Sequence, residues 1–418
     1  MGRKRMAVIS TAEVPSARSK KWRSRARLSQ GAAVADALKH FFNPALVEQI
    51  ADRYAAAWPD FPRDRFAREA AHGIDALELL ARGAHIMRAL DVALPQDFLR
   101  AADIVESSLG PLHPTTESFG MAPFVYLPEV TWVAERGLAH FDRAMSLQHA
   151  LTKRFSCEFS VRPYLHQHTE RTLAVFHAWA RDPDPHVRRL VSEGTRPRLP
   201  WAMRLPKFIA DPSPCLPLLE ALKDDPEEYV RRSVANHLND IAKDHPAVTR
   251  EVCARWSEGA TAARQKLIAH ALRTLVKKGD AGALTILGAG DAEGLDATAA
   301  LTPARVTLGE SFRVEATVIN RAETSRRVVL DLRVSFPRAS GRALEKTFKL
   351  ATLTLAPGAS GAGRTTVSLR DMSTRTHIAG RYDVALLVNG RLVPVGAVEV
   401  SAGHTARGRV ARARSKTA

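Results

Sequence analysis

Three carboxylates are marked out by their neighbours. Glu158 lies in the string Arg154-Phe155-Ser156-Cys157-Glu158-Phe159-Ser160-Val161-Arg162-Pro163, with Phe155 close by and Arg162 one helical turn on, able to reach a phosphate. Glu129 follows Pro128 in the first turn of an expected helix, where the peptide dipoles favour its ionised form and Trp132 shares its face. Asp211 ends the segment from Trp201 to Ala210 and precedes Pro212. A carboxylate among aromatics and arginines, with no metal or activated nucleophile, can stabilise a cation that forms during a reaction and can orient water. Each of the three can also serve as an ion-pair partner or a helix cap.

Other reactive sets are incomplete. His166-x-His168, with His177 beyond, has no acid or cysteine at zincin spacing, and Gly288-Ala289-Gly290 is not followed by the lysine and hydroxyl of a phosphate loop. Cys157, Cys215 and Cys253 are far apart and form no CxxC pair, which argues against a disulfide framework or a cysteine zinc site. No metal and no cofactor is expected.

The elements that must position these groups are helices over the first two-thirds of the chain. Val34, Leu38 and Phe41, then Leu46, Ile50 and Tyr54, recur at three- and four-residue intervals, with Asn43-Pro44 as a break; the pattern continues through Phe66–Ile74, Leu77–Leu90 and Phe98–Leu109. No strand-like alternation precedes Leu301. A faint repeat runs through this region: Val187-Arg188-Arg189 follows Asp184-Pro185, Val230-Arg231-Arg232 follows Asp225-Pro226, and Ala263-Arg264 stands where a third copy falls. Stacked helix pairs of this kind build a curved solenoid whose arginine-lined hollow suits a rod-like polyanion. On a helical projection Val230, Val234, Leu238 and Ile241 share one face, and Arg232, Asn236, Asn239 and Lys243 share the other, where donors one turn apart can follow a phosphate backbone.

The loop Glu193-Gly194-Thr195-Arg196-Pro197-Arg198-Leu199-Pro200-Trp201 is the least generic stretch. Two prolines stiffen the path and present Arg196, Arg198 and Trp201 from a rigid strip, with Lys207 shortly after. A formal net charge of +17 over 418 residues points to a polyanionic partner, most often nucleic acid. No apolar run approaches the ~18 residues of a transmembrane span and no signal-peptide core opens the chain, so the expectation is an intracellular, cytoplasmic protein, associated with the nucleoid when bound to DNA.

Three strings together carry a likeness: Phe155 to Pro163, Glu193 to Trp201, and Tyr229-Val230-Arg231-Arg232-Ser233-Val234-Ala235-Asn236-His237-Leu238-Asn239-Asp240. They resemble the AlkC branch of the HEAT-repeat DNA alkylation-repair glycosylases, over about Asn43 to Gly288. The resemblance implies removal of N-alkylated bases, typically 3-methyladenine and 3-methylcytosine, from double-stranded DNA, without flipping the damaged base into a pocket. It points to Glu158 as the catalytic acid, with Glu129 and Asp211 as the further candidates, and puts Tyr229 where the related AlkD-like branch has an aromatic before its arginine-bearing helix. Arg162, Arg188, Arg196, Arg198, Trp201, Lys207, Tyr229, Arg231, Arg232, Asn236, Lys243 and Trp132 are the expected DNA contacts. A cationic base is already a good leaving group, so a carboxylate beside the sugar suffices and little general-acid help is needed. The competing class is a non-catalytic helical-repeat module that binds DNA or protein.

Beyond Leu301 the period changes to two. Phe312–Val318, Val328–Val334, Thr347–Leu355, Arg364–Leu369, Tyr382–Val388 and Leu392–Val400 alternate as half-buried strands, with turns at Asn320-Arg321, Pro357-Gly358 and Asn389-Gly390. About seven short strands in ~100 residues indicate an immunoglobulin-like sandwich. Ser373 and Arg375 sit in a donor-rich loop suited to phosphates or a minor groove, and such a domain is implied by the AlkC likeness to clasp DNA. The expected architecture is mainly α: a HEAT-like α-solenoid (32–288), a small polar linker (289–302) and an all-β sandwich (303–402), between a basic arm (1–31) and a basic tail (403–418). The expected assembly is a monomer.

Overall fold

Asn43 accepts a hydrogen bond from the Leu46 amide (3.0 Å) and Pro44 takes the first helical position, so a helix runs Pro44–Ala57 with Leu46, Val47, Ile50, Ala51 and Tyr54 inside. The structure, a computed structural model, describes residues 40–113, 115–116, 122–371 and 376–402. Among these, sixteen α-helices lie between Pro44 and Ile286, and eight strands follow. One apolar core runs through the helical body from Phe42 to Ala283, and a second fills the sandwich. The basic arm, the basic tail, and Ser373 and Arg375 lie outside the described residues.

The repeat has a physical basis in its Asp-Pro loops. Helix Pro185–Gly194 starts where Asp184 caps the His186 amide, and Asp225 in the same way accepts from the Glu227 amide ahead of helix Glu228–Ile241. Arg188 Nη1 donates to the carbonyls of Asp182 and Pro183 (2.9 Å each), and Arg231 Nη1 donates to those of Asp225 and Pro226. Arg188 then clamps Asp225 of the next repeat with two bonds of 2.6 and 3.0 Å, and Arg264, at the start of helix Ala262–Ala271, pairs with Asp224. Arg188 and Arg264 fasten one repeat to the next, and Arg231 closes the loop ahead of its own helix, which corrects the expectation that Arg188 and Arg231 face DNA.

Helix Glu228–Ile241 buries Val230, Val234, Leu238 and Ile241 as the projection requires. Its other side is not all solvated. Asn239 is buried, donating to the Ala271 carbonyl (2.9 Å) and accepting from the Thr274 hydroxyl, because a solenoid helix is covered by neighbours on two sides.

The sandwich has strands β1 (Leu295–Thr302), β2 (Arg305–Thr307), β3 (Ser311–Asn320), β4 (Arg326–Phe336), β5 (Leu344–Leu355), β6 (Ser360–Ser368), β7 (Gly380–Val388) and β8 (Arg391–Ser401). One sheet is ordered β1-β3-β6 and the other β2-β8-β7-β4-β5. Phe312, Val314, Ala316 and Val318 of β3 point inward between exposed Ser311, Arg313, Glu315 and Thr317. The expected linker is shorter than 289–302, because Leu295–Thr302 pairs antiparallel with β3. Its small residues, Ala297, Ala299 and Ala300, hide the alternation that larger side chains would reveal. The sandwich docks on the helical body: Leu284 and Ala289 pack with Val329 of β4, Thr347 donates to the Lys277 carbonyl (3.0 Å), and Asn389 in the β7–β8 turn donates to the Asp291 carbonyl.

Candidate active site and nucleic-acid interface

A cavity of about 620 Å³ opens where the turn before helix Val161–Gln167 meets helices Pro185–Gly194 and Glu228–Ile241 and the loop up to Trp201. Its wall includes Phe124, Phe155, Glu158, Arg189, Glu193, Arg196, Trp201, Tyr229, Arg232 and Asn236. Glu158 sits at the apex of that turn. Cys157 is buried beside it, the Val161 amide donates back to the Cys157 carbonyl (3.1 Å), and Ser160 donates to Gln148 (2.8 Å), so the backbone under the carboxylate is fixed. Burial, with the Glu158 charge adding to it, pushes the Cys157 thiol up to about 12, so it is no nucleophile near neutral pH.

The Glu158 carboxylate accepts from the Ser156 hydroxyl (2.9 Å) and from Arg189 Nη1 (2.8 Å). Arg189 turns its other side to Glu193 (3.5 Å) and lies over the Tyr229 ring, 4.9 Å from its centre. Glu193 pairs with Arg196 (2.6 Å), Arg196 with Asp240 (2.8 Å), and Asp240 with Lys243 (2.7 Å). Six side chains of alternating sign thus run from the mouth of the cavity along two successive repeats. Burial alone would raise Glu193, but Arg189 and Arg196, with the Ser233 hydroxyl bond, hold it below the usual carboxylate range. Burial opposes the charge on Arg189, and the two glutamates more than offset it, so this guanidinium stays charged.

Two lining groups keep donors for something outside the protein. Arg232 has no hydrogen bond or ion pair among the described residues, unlike Arg154, Arg189 and Arg196 beside it. The Asn236 oxygen accepts from His270 (2.9 Å) and from Arg273 (3.0 Å), which leaves its amide N–H groups for the cavity.

Of the three expected carboxylates, Glu158 alone lines this hollow. Glu129 is fully buried against Arg53 and Tyr54, and burial raises its pKa despite the arginine. Asp211 is exposed, where the amide (2.9 Å) and hydroxyl (2.8 Å) of Ser213 bond to it and hold it low. Glu193 is the acid that sequence reasoning passed over; its spacing of four from Arg189 and three from Arg196 was the available signal.

The expected DNA contacts divide in the same way. Arg196, Trp201, Tyr229, Arg232 and Asn236 line the cavity. Arg198 is bidentate to Asp244 (2.7 Å each), Lys207 donates to Thr169 (2.9 Å), and Lys243 is tied to Asp240; all three keep partial exposure. Arg162 and Trp132 face inward, a correction to both. Trp132 donates to Asp91 (2.9 Å) and stacks on Phe98, and Arg162 donates to the carbonyls of Gly194 (2.8 Å) and Met203. Neither reaches a phosphate from there.

Comparison with known proteins bears on the same residues. Residues 154–272 match the family described as DNA alkylation repair enzyme, and residues 296–402 match the C-terminal Ig-like domain of uncharacterised protein YhaZ. The chain is 33% identical to the uncharacterised protein YhaZ of Bacillus subtilis over 359 residues, covering 85% of this chain and 97% of that one. It also superposes on the Pseudomonas fluorescens alkylpurine DNA glycosylase AlkC, solved bound to DNA containing an abasic site analogue. That match has a TM-score of 0.80 and 35% identity over 87% of this chain and 99% of the other.

Proposed function

The chain belongs to the AlkC-type DNA alkylation-repair glycosylases that carry a C-terminal immunoglobulin-like domain, and from this premise we propose that it removes cationic alkylated bases, 3-methyladenine and 3-methylcytosine, from duplex DNA. The observation that carries the reading is Glu158, a carboxylate on the cavity wall oriented by Ser156 and Arg189. When the C1′–N bond breaks, its electron pair leaves with the alkylated base and cancels the base's positive charge. The sugar is left as an oxocarbenium-like cation. Glu158 stabilises that cation, then orients a water that adds to C1′ and takes up the proton the water sheds. The products are the free base and an abasic sugar.

Two features favour a mechanism without base flipping. Phe124 and Phe155 pack on one another with centres 4.9 Å apart, rather than standing parted as a slot for a base. Each lining acid is held by an arginine, as suits electrostatic stabilisation better than proton donation to a leaving group. Arg232 and Asn236, with donors to spare, take the backbone phosphates, and the sandwich closes on the duplex from the other end of the chain.

The test is base release from duplex DNA methylated at random, read as strand cleavage after alkaline treatment, with chromatography of the freed bases. The expected products are abasic sites with 3-methyladenine and 3-methylcytosine in solution. A protein that binds such DNA and releases no base is a helical-repeat binding module instead.

A further inference from the structure

Glu193 stands in a place that its charge alone disfavours. It is the next-to-last residue of helix Pro185–Gly194, at the end where the peptide dipoles oppose an anion, and its side chain is only 7% exposed. Three groups hold it there. Arg196 Nη1 donates to its Oε1 (2.6 Å), Arg189 Nη2 approaches the same oxygen (3.5 Å), and the Ser233 hydroxyl, from the next repeat, donates to Oε2 (2.6 Å). Ser233 is itself set by Ser192 (2.7 Å). Well-packed apolar side chains commonly serve a buried joint as well as a buried ion pair does, so the charge calls for another use.

That use is visible in how Arg189 meets Glu158. Arginine and carboxylate often pair through two parallel bonds, one to each oxygen. Here Arg189 gives Nη1 alone to Glu158, at Oε2 (2.8 Å), while Nη2 is turned to Glu193. The Ser156 hydroxyl donates to that same Oε2 (2.9 Å) and accepts from Arg189 Nη1 (3.1 Å). Both donors therefore share one oxygen. Oε1 of Glu158 has no hydrogen-bond partner among the described residues, on a side chain that lines the cavity.

We propose that Glu193 is a positioning residue: by drawing Nη2 to itself it keeps Arg189 to a one-oxygen contact with Glu158, so that Oε1 stays open to the cationic sugar and to the water that follows. Its negative charge also balances the guanidinium, which leaves the Glu158 charge to act on the cation. The inference rests on the reading of the cavity as a glycosylase site, and Glu193 acts in it through Arg189 rather than on the DNA.

The test uses the full-length protein. Single-turnover excision from methylated duplex is set beside affinity for a duplex bearing a tetrahydrofuran abasic analogue, together with a crystal structure of Glu193→Gln, which keeps the shape and removes the charge. In that structure Arg189 is expected to make two bonds to Glu158, and excision is expected to slow about 10-fold or more with affinity unchanged or higher. In an Arg189→Met background the same Gln substitution is expected to slow excision no further, because the residue it acts through is gone. Ser233→Ala, which loosens Glu193 without removing its charge, is expected to slow excision a few-fold and decides the matter if the Gln variant does not fold. Three results overturn the proposal: excision equal to the wild type in the folded variant, a rate and an affinity that fall together with the melting temperature, or a Gln effect undiminished in Arg189→Met. If the wild type releases no base, the glycosylase reading falls, and the crystal structure alone decides the contact: two bonds from Arg189 to Glu158 support the role of Glu193, and a single bond overturns it.

Discussion

At the scale of single residues, burial decides what an arginine or an acid is for, and burial is what a linear sequence conceals. Arg162 and Arg232 are both arginines near the motifs, yet one is sealed beneath a loop and the other lines the cavity with no partner among the described residues. Glu158 and Glu129 both stand beside aromatics, and only the first meets the hollow. The order Phe155 to Arg162 singled out Glu158, which does line the hollow, whereas seeing that Glu129 is buried away from it needed the helix Pro44–Ala57 to arrive with Arg53. Glu158→Gln is expected to lower base release about 100-fold or more while leaving affinity for an abasic-analogue duplex within a few-fold, since it removes charge from the transition state and little from the ground state. Single-turnover excision set beside binding isotherms separates these. His237 gives a stability counterpart. It is fully buried, donates to the Ser192 carbonyl (3.0 Å), and burial lowers its pKa to about 4. The unfolded chain takes up a proton near pH 6.5 and the folded one only near 4, so stability falls as pH drops through that window, by roughly 1.4 kcal/mol per unit. Denaturant titrations from pH 7 to 4 should show this slope, and His237→Asn should flatten it.

Among elements, the long amphipathic helices and the alternating strands were legible because their periods are local properties of the chain. The Asn389-Gly390 turn was legible for the same reason, both residues having the positive φ that a two-residue hairpin demands. Strand β1 was not, since alanines and threonines carry little contrast and only pairing with β3 defines it. The repeat was read correctly as a repeat, but two of its arginines, Arg188 and Arg231, were assigned to the wrong surface: an Asp-Pro loop needs donors for its carbonyls, and the nearest arginine supplies them. This yields a paired prediction. Arg188→Ala takes the arginine from Asp225, leaving it only the Glu227 amide, and the donor from two carbonyls, and is expected to cost roughly 2–4 kcal/mol of stability with no change in the salt dependence of DNA binding. Arg232→Ala is expected to leave the melting temperature unchanged and to reduce the log–log salt slope by about 0.9, one phosphate contact. Equal effects of the two on the salt slope would return Arg188 to the interface.

For the whole molecule, the net charge of +17 misleads as to place. Residues 1–31 hold nine Lys or Arg against one Glu and residues 403–418 hold five, so thirteen of the seventeen charges belong to the two ends. The ladder around Glu158 is balanced, three acids against three bases. Shape and local pairing then matter more to the site than bulk charge, and shape depends on how the two domains are joined. The joint is a small apolar contact, Leu284 and Ala289 against Val329, with the Gly279 and Gly390 backbones in close approach: a side-chain carbon added at Gly390 would lie 2.7 Å from the Gly279 oxygen. Val329 is on the face of β4 turned away from the sandwich core, where Val328, Leu330 and Leu332 lie. Val329→Asp therefore puts a charge into the joint, beside Asp331, while sparing both cores. Asp331 is itself buried, which pushes its pKa up to about 6, so a second carboxylate there meets a site already averse to negative charge. The expected outcome is a protein with both domains folded but the joint released. Scattering should give a larger radius of gyration, and limited proteolysis should open the chain between Ile286 and Leu295. Excision from long duplexes should fall, if a clasp of fixed geometry is what the sandwich contributes; undiminished excision with the joint open would mean that the helical body alone grips the DNA.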